Sequence, residues 1–293
     1  MEFTALNVIG LIVLGLLAGI AGGLLGIGGG VINIPGLTLI FLVVNPLARS
    51  ATLVVNTLIG LSSALRHRKA GCVLRRVVGL MLVGGLVGGV VGAVAAHRLD
   101  RWRWIFPGIF AAFLVYVIAA NLKRLLQRGR DEERQFASDQ PYPLTSQRVV
   151  GLIWVGFPMG LLAGLLGIGG GAVAVPMQQT VARMPLRNAI ACSSAAIVGT
   201  CTAAAAAAIL AEMTASDPAF SWWQPLAIAG ILIPSAVLGA QIGAHLTHTL
   251  PLRVVRAVFV LVILVSCVKM AQRSIELYRL SHRPSATQEV NTP

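Results

Sequence analysis

The sequence predicts an all-α integral membrane protein made of two internal repeats, each with about five hydrophobic segments. Three observations carry that reading. Hydrophobic residues make up 56% of the 293 positions and glycine another 32 positions, while only 11% are charged, against about a quarter in an average soluble domain. Long charge-free stretches recur along the chain. A glycine-rich block also appears twice, each copy followed at similar distance by a second matching block. Together with a mean hydropathy of +0.82, these exclude a soluble enzyme, a disordered chain and a small disulfide scaffold.

The charge-free stretches run over 3–48, 77–97, 104–122, 149–182, 188–211, 218–252 and 257–268. A helix needs about 20 apolar residues to cross a hydrocarbon core of about 30 Å, so most stretches hold one helix. Residues 50–65, SATLVVNTLIGLSSAL, add a slightly short one. The stretches 3–48 and 149–182 hold a helix and a leftover piece. These pieces are VINIPGLTLIFLVV after Gly26–Gly30 and AVAVPMQQTVA after Gly167–Gly171. Each reads as a half-helix entered through a glycine turn, giving eight to ten membrane segments. The plainer alternative is a tight loop followed by a short tilted helix.

GGLLGIGGGVINIP (22–35) returns as AGLLGIGGGAVAVP (163–176), offset by 141, and GGVVGAVAAHRL (88–99) as GAQIGAHLTHTL (239–250), offset by 151. The expected organisation is therefore a first membrane repeat at 1–122, a polar cytoplasmic linker at 123–148, a second repeat at 149–272 and a polar tail at 273–293. A duplicated half with a broken helix in each copy suggests a transporter with its site between the halves. If the half-helices count as crossings, ten segments make the repeats inverted; if they are re-entrant, eight spans make them parallel. The basic 66–76 loop has 212–222 as its counterpart, which carries only Glu212 and Asp217, and this favours inversion.

Lys and Arg number 23 against 10 Asp and Glu, a net charge of +13. The basic residues cluster between apolar runs, as cytoplasmic loops facing anionic lipid do, so a lipid bilayer and no nucleic acid is the expected environment. Glu2 is the only charge before Arg49, so the first apolar run reads as an uncleaved membrane segment. Cys72, Cys192, Cys201 and Cys267 are scattered and read as packing residues. No metal site is expected.

GIGGG fails as a dinucleotide loop because its sixth position is Val31 in one copy and Ala172 in the other; no Lys-Ser/Thr follows to make a P-loop. No cofactor is expected. A glycine cluster instead lets backbone approach backbone or ligand at positive φ, and at the start of a helix it offers N–H groups to an anion. For Gly15/Gly19 and Gly84/Gly88/Gly92, the four-residue spacing reads as helix packing alone. Asn33, Thr52, Asn56, Ser62, Gln178, Gln179, Ser193, Ser194 and Gln241 lie within apolar stretches and need partners or a wet cavity. Thr52 and Asn56 share a helix face, and Thr52 corresponds to Ser193 across the offset of 141. All ten carboxylates sit in loops, tails or helix ends. That argues against an intramembrane enzyme and for an anionic or neutral substrate. His97, His245 and His248 are candidate proton carriers, although His97 and His248 read more simply as interfacial.

On GLLGIGGGVINIP and GLLGIGGGAVAVP, supported by A-x-S-A-T-L (48–53) and A-x-A-C-S-S (189–194), the chain resembles the TauE/SafE sulfite exporter-like permeases over nearly its whole length. The resemblance implies a secondary permease moving small sulfur-containing or organic anions across the cell inner membrane. Cys192-Ser193-Ser194 stands where the family usually has Thr-Ser-Leu. The expected substrate-binding residues are Gly28, Gly29, Gly30, Asn33, Thr52, Asn56, Gly169, Gly170, Gly171, Gln178, Ser193 and Ser194, forming an uncharged polar cavity without buried Lys or Arg. A homodimer is a further expected arrangement. The alternative from another class is a membrane scaffold or assembly protein whose glycines serve packing only.

Overall fold

The computed structural model describes residues 5–100, 105–126, 145–249 and 252–281. Within them lie α1 (Ala5–Leu25), α2 (Gly30–Pro35), α3 (Asn45–Lys69), α4 (Arg75–Leu99) and α5 (Ile105–Leu126). The second half holds α6 (Ser146–Leu166), α7 (Gly171–Val181), α8 (Leu186–Met213), α9 (Trp223–Thr249) and α10 (Leu252–Ser281). No strand occurs among the described residues. Of the helices, α1, α4, α6, α8 and α9 are long and apolar enough to cross a membrane. Large apolar side chains such as Leu6, Val87, Trp154 and Leu238 face outward, as a lipid-facing surface requires. The protein is a multi-pass membrane protein. α5 runs to Leu126, into the expected linker, and α10 to Ser281, past the expected end of the second repeat; most of that linker and tail lies outside the described residues.

Each short helix folds back along the helix before it. Gly36 faces Leu14 and Gly10 faces Phe41, while Gly151 faces Val181 and Gly170 faces Met159, so α1–α2 and α6–α7 are antiparallel hairpins with the glycine turns at their tips. Pro35 cannot donate a helical hydrogen bond, and the chain leaves α2 through a π turn at Gly36–Ile40. Both returns end in a left-handed residue, Leu42 (φ 55°) and Arg183 (φ 50°). There the Val43 N–H donates to Leu37 O at 2.9 Å and the Met184 N–H to Gln178 O at 3.2 Å. A non-glycine residue rarely takes this conformation, and these two stand 141 positions apart.

Helices pair across the two halves of the sequence. Backbone glycines of α1 lie on α9 in steps of four, with Gly19 against Ala236 O and Gly23 against Ala240 O; α4 lies on α6 in the same way, with Gly84, Gly88 and Gly92 against Ile153 O, Phe157 O and Leu161 O. Both pairs run parallel. Such small-residue stripes let helix backbones touch where lipid gives no hydrophobic drive for association, which is the packing role read from the spacing. In contrast α3 and α8 run antiparallel: Thr57 meets Thr202, Gly60 meets Ser194, and Cys72 O accepts from Asn188. The α3–α8 pair forms the centre of the bundle, flanked by α1–α9 on one side and α4–α6 on the other.

A Cβ on Gly88 would overlap Phe157 O, whereas one on Gly79, earlier in the same helix, meets nothing within 4 Å. Gly88→Ala should therefore destabilise by about 1–3 kcal/mol through overpacking, and Gly79→Ala should change stability by no more than about 0.5 kcal/mol. Thermal unfolding in detergent of the two variants checks the contrast; equal melting temperatures would mean that α4 and α6 separate at little cost.

Candidate functional site

The two glycine turns meet back to back. A Cβ on Gly28 would stand 3.3 Å from the Gly169 Cα, and one on Gly169 3.2 Å from the Gly28 Cα. Gly30 and Gly171, at the starts of α2 and α7, press on the carbonyls of Gly167 and Gly26. Gly26, Gly28, Gly167, Gly169 and Gly170 all have φ between 65° and 86°, where side chains are disfavoured. Gly29 has φ −85°; its tight fit against Ile59 and Ala18 is what limits it.

One side chain ties the junction together. Asn56, fully buried in the middle of α3, accepts from the Gly29 N–H at 2.8 Å and donates from Nδ2 to Gly167 O at 2.9 Å. Both turns therefore sit level with the centre of α3. Ser193, from α8, donates to Gly26 O at 2.9 Å. Thr52 stands at the position corresponding to Ser193, but the Gly167 carbonyl it would reach is already held by Asn56. Its hydroxyl has no hydrogen-bond partner among the described residues.

The expected binding residues thus divide into two sets. Asn56 and Ser193 are committed to holding the turns, and the N-cap N–H of α2 is taken by Asn56 and not open to a ligand. Asn33 (both amide atoms), Thr52, Ser194 and the Gln178 carbonyl oxygen are buried without a partner among the described residues; Ser50 joins them. Gln178 spends its Nε2 on Ala189 O at 3.3 Å. Buried polar atoms of this kind cost free energy unless water or a ligand satisfies them. They lie on α2, α3, α7 and α8, the helices that enter or brace the two turns.

A buried charge that the expected residue set did not include lies beside the junction. Arg49, on the second turn of α3, is 1% exposed and forms a bidentate pair with Asp100, at 3.0 Å from Nη1 and 2.6 Å from Nη2. Its Cγ would be 2.9 Å from a Cβ on Gly167, and its guanidinium lies 5.8 Å from the centre of the Phe106 ring. In the sequence Arg49 falls between two charge-free stretches and passes for a helix boundary. The signal that identifies it is its place inside the A-x-S-A-T-L block, three residues before Thr52. A buried carboxylate was also missed: Glu212, ending α8, accepts from Ala219 N and pairs with His97 at 3.2 Å.

At the opposite end of α3, His67 donates from Nε2 to Gly23 O at 3.3 Å, which leaves Nδ1 to accept from His248 Nε2 at 3.2 Å. Arg66 donates to His245 at 2.9 Å. His97 and His248 thus sit at helix ends, each paired with a residue from the other half of the chain.

Against known families, the model for sulfite exporter TauE/SafE matches residues 11–270. The chain belongs to the TauE/SafE family. Among curated relatives, a probable membrane transporter protein MamO of Paramagnetospirillum magneticum is 29% identical over 88% of this chain. A second MamO, of Magnetospirillum gryphiswaldense, is 29% identical over 92%. The chain spans under half of either MamO, 43% and 45% of their lengths. A probable membrane transporter protein YunE of Bacillus subtilis is 28% identical over 88% of this chain and 95% of its own length. No solved structure matches. The family match covers most of the chain, and each of these relatives is named a probable membrane transporter protein.

Proposed function

We propose that the protein is a secondary permease for a small anion, a sulfur oxyanion or organosulfonate, working by alternating access in the cell inner membrane. The observation that carries this is the set of buried, unpartnered donors and acceptors on Asn33, Thr52, Gln178 and Ser194 around two broken helices that meet at mid-bundle. Broken helices meeting at depth are where transporters place substrate. Irregular backbone survives in a membrane only when buried in protein or lining a cavity. In this closed arrangement the glycine turns touch each other, and substrate enters when they part.

The repeats are inverted in this reading. Its supports are the antiparallel α3 and α8, the parallel α1–α9 and α4–α6 pairs, and the matched reversals at Leu42 and Arg183. The face holding Arg66, His67, Arg68, Lys69, Arg75 and Arg76 is the more basic and is the cytoplasmic one. The start of α1 and the end of α10 then lie outside. Because α1 packs on α9 and α4 on α6, the bodies that move against each other each contain helices from both halves of the chain.

Counterflow uptake in proteoliposomes against sulfite, methanesulfonate, taurine and acetate tests the reading, which fails if no member of the panel is exchanged. Thr52→Ala should weaken binding of the transported anion by about 0.5–1.5 kcal/mol, the usual worth of one hydrogen bond. Ser193→Ala should instead lower thermal stability and leave affinity nearly unchanged, since its hydroxyl is held by Gly26 O. If the two variants behaved alike in both assays, Thr52 would be serving only to pack helices.

A further inference from the structure

We propose that Arg49 is the charged ligand of the transported anion and that Asp100 is its resting counterion, displaced when the anion arrives; this rests on the anion-permease reading above. Arg49 spans two places. Its stem lies on the Gly167 turn, one residue from the buried Ser50 hydroxyl and three from that of Thr52, and its guanidinium reaches Asp100. Asp100 in turn lines a cavity of about 130 Å³ together with Thr38, Asn45, Phe106 and Arg273. The guanidinium therefore stands between the glycine junction and a cavity at the α3 N-terminal end of the bundle.

Stability alone does not account for the pair. Desolvating two charges costs about as much as their attraction returns, and apolar replacement of a buried pair is often neutral or stabilising. Nor is the arginine saturated: its Nε has no acceptor among the described residues, so a ligand oxygen has a donor waiting beside the two that Asp100 occupies. Planar guanidinium donors fit the oxygens of a carboxylate, sulfite or sulfonate equally well. Asp100 occupies them as an internal oxyanion, which keeps Arg49 neutralised while the site is empty. An arriving substrate takes over those donors, and the freed carboxylate turns toward the cavity that Arg273 also lines. The anion thus exchanges one carboxylate contact for another, so Arg49 holds it without holding it irreversibly.

The test is counterflow and concentration-dependent uptake of sulfite, methanesulfonate and acetate in proteoliposomes for wild type, Arg49→Gln, Asp100→Asn and Arg49→Gln/Asp100→Asn, each checked for monodispersity. Arg49→Gln should raise the apparent KM at least tenfold. Asp100→Asn, which removes the internal competitor, should lower KM several-fold and also lower the maximal rate. The double variant leaves no unpaired buried charge and so removes folding as an explanation; it should stay as weak as Arg49→Gln. Wild-type transport in the double variant, or a KM raised alike in Asp100→Asn and Arg49→Gln, would overturn the assignment while leaving the permease reading intact. Absence of anion exchange by the wild type would overturn both.

Discussion

Gly171→Ala and Gly30→Ala should each abolish transport and remove most of the folded protein. Both residues begin a short helix, where alanine is ordinarily preferred to glycine, so propensity alone predicts a gain. Sterics reverse the sign. A Cβ on Gly171 would overlap Gly26 O and stand 2.7 Å from the Ile27 Cα; one on Gly30 would overlap Gly167 O and stand 2.5 Å from the Ile168 Cα. These neighbours are backbone, with Gly26 and Gly167 at positive φ, and no side chain can swing aside. The cost lies at the upper end of the usual 1–3 kcal/mol for overpacking, or above it, because either substitution pushes the two turns apart. Gly230, whose Cβ would meet nothing within 4 Å, is the control. The measurement is the yield of monodisperse protein together with counterflow. Wild-type behaviour of Gly171→Ala would mean that the turns are separated in the working protein.

The legible part of this molecule is what repeats or what is sequence-local. GIGGG twice over announced two turns, and Gly84/Gly88/Gly92 announced a packing stripe, because four-residue spacing of small residues has one structural use whatever the partner helix. The partner itself was hidden: nothing local to α4 says that it lies on α6. The roles of the polar residues were hidden for the same reason. Asn56 and Thr52 share a face of α3, but Asn56 is a tie and Thr52 has no partner among the described residues, because the Gly167 carbonyl that Asn56 holds comes across from the other half of the chain. Arg49 was missed because a charge between apolar stretches marks a boundary unless something buried neutralises it. That something, Asp100, is 51 residues away and ends a different helix.

Asn56→Leu should be the most damaging substitution of a single side chain that keeps its approximate volume. Leucine fills the space but leaves the Gly29 N–H and the Gly167 carbonyl buried without partners. Each orphan costs about 1–3 kcal/mol, so the pair costs about 2–6 kcal/mol, comparable to much of a protein's net stability. The loss falls on both hairpins at once. The residue 141 positions on is Ile197, which has no polar atom to replace the tie, and Ser193 holds only Gly26. Asn56→Asp does not rescue: its carboxylate still accepts from Gly29 N–H but cannot, when ionised, donate to Gly167 O, and it adds a buried charge. Melting temperature in detergent and counterflow in liposomes should fall together for Asn56→Leu, and Asn56→Leu/Ser193→Ala should not assemble. A leucine variant that melts with the wild type would mean that backbone contact between the turns, and not the amide between them, holds the junction shut.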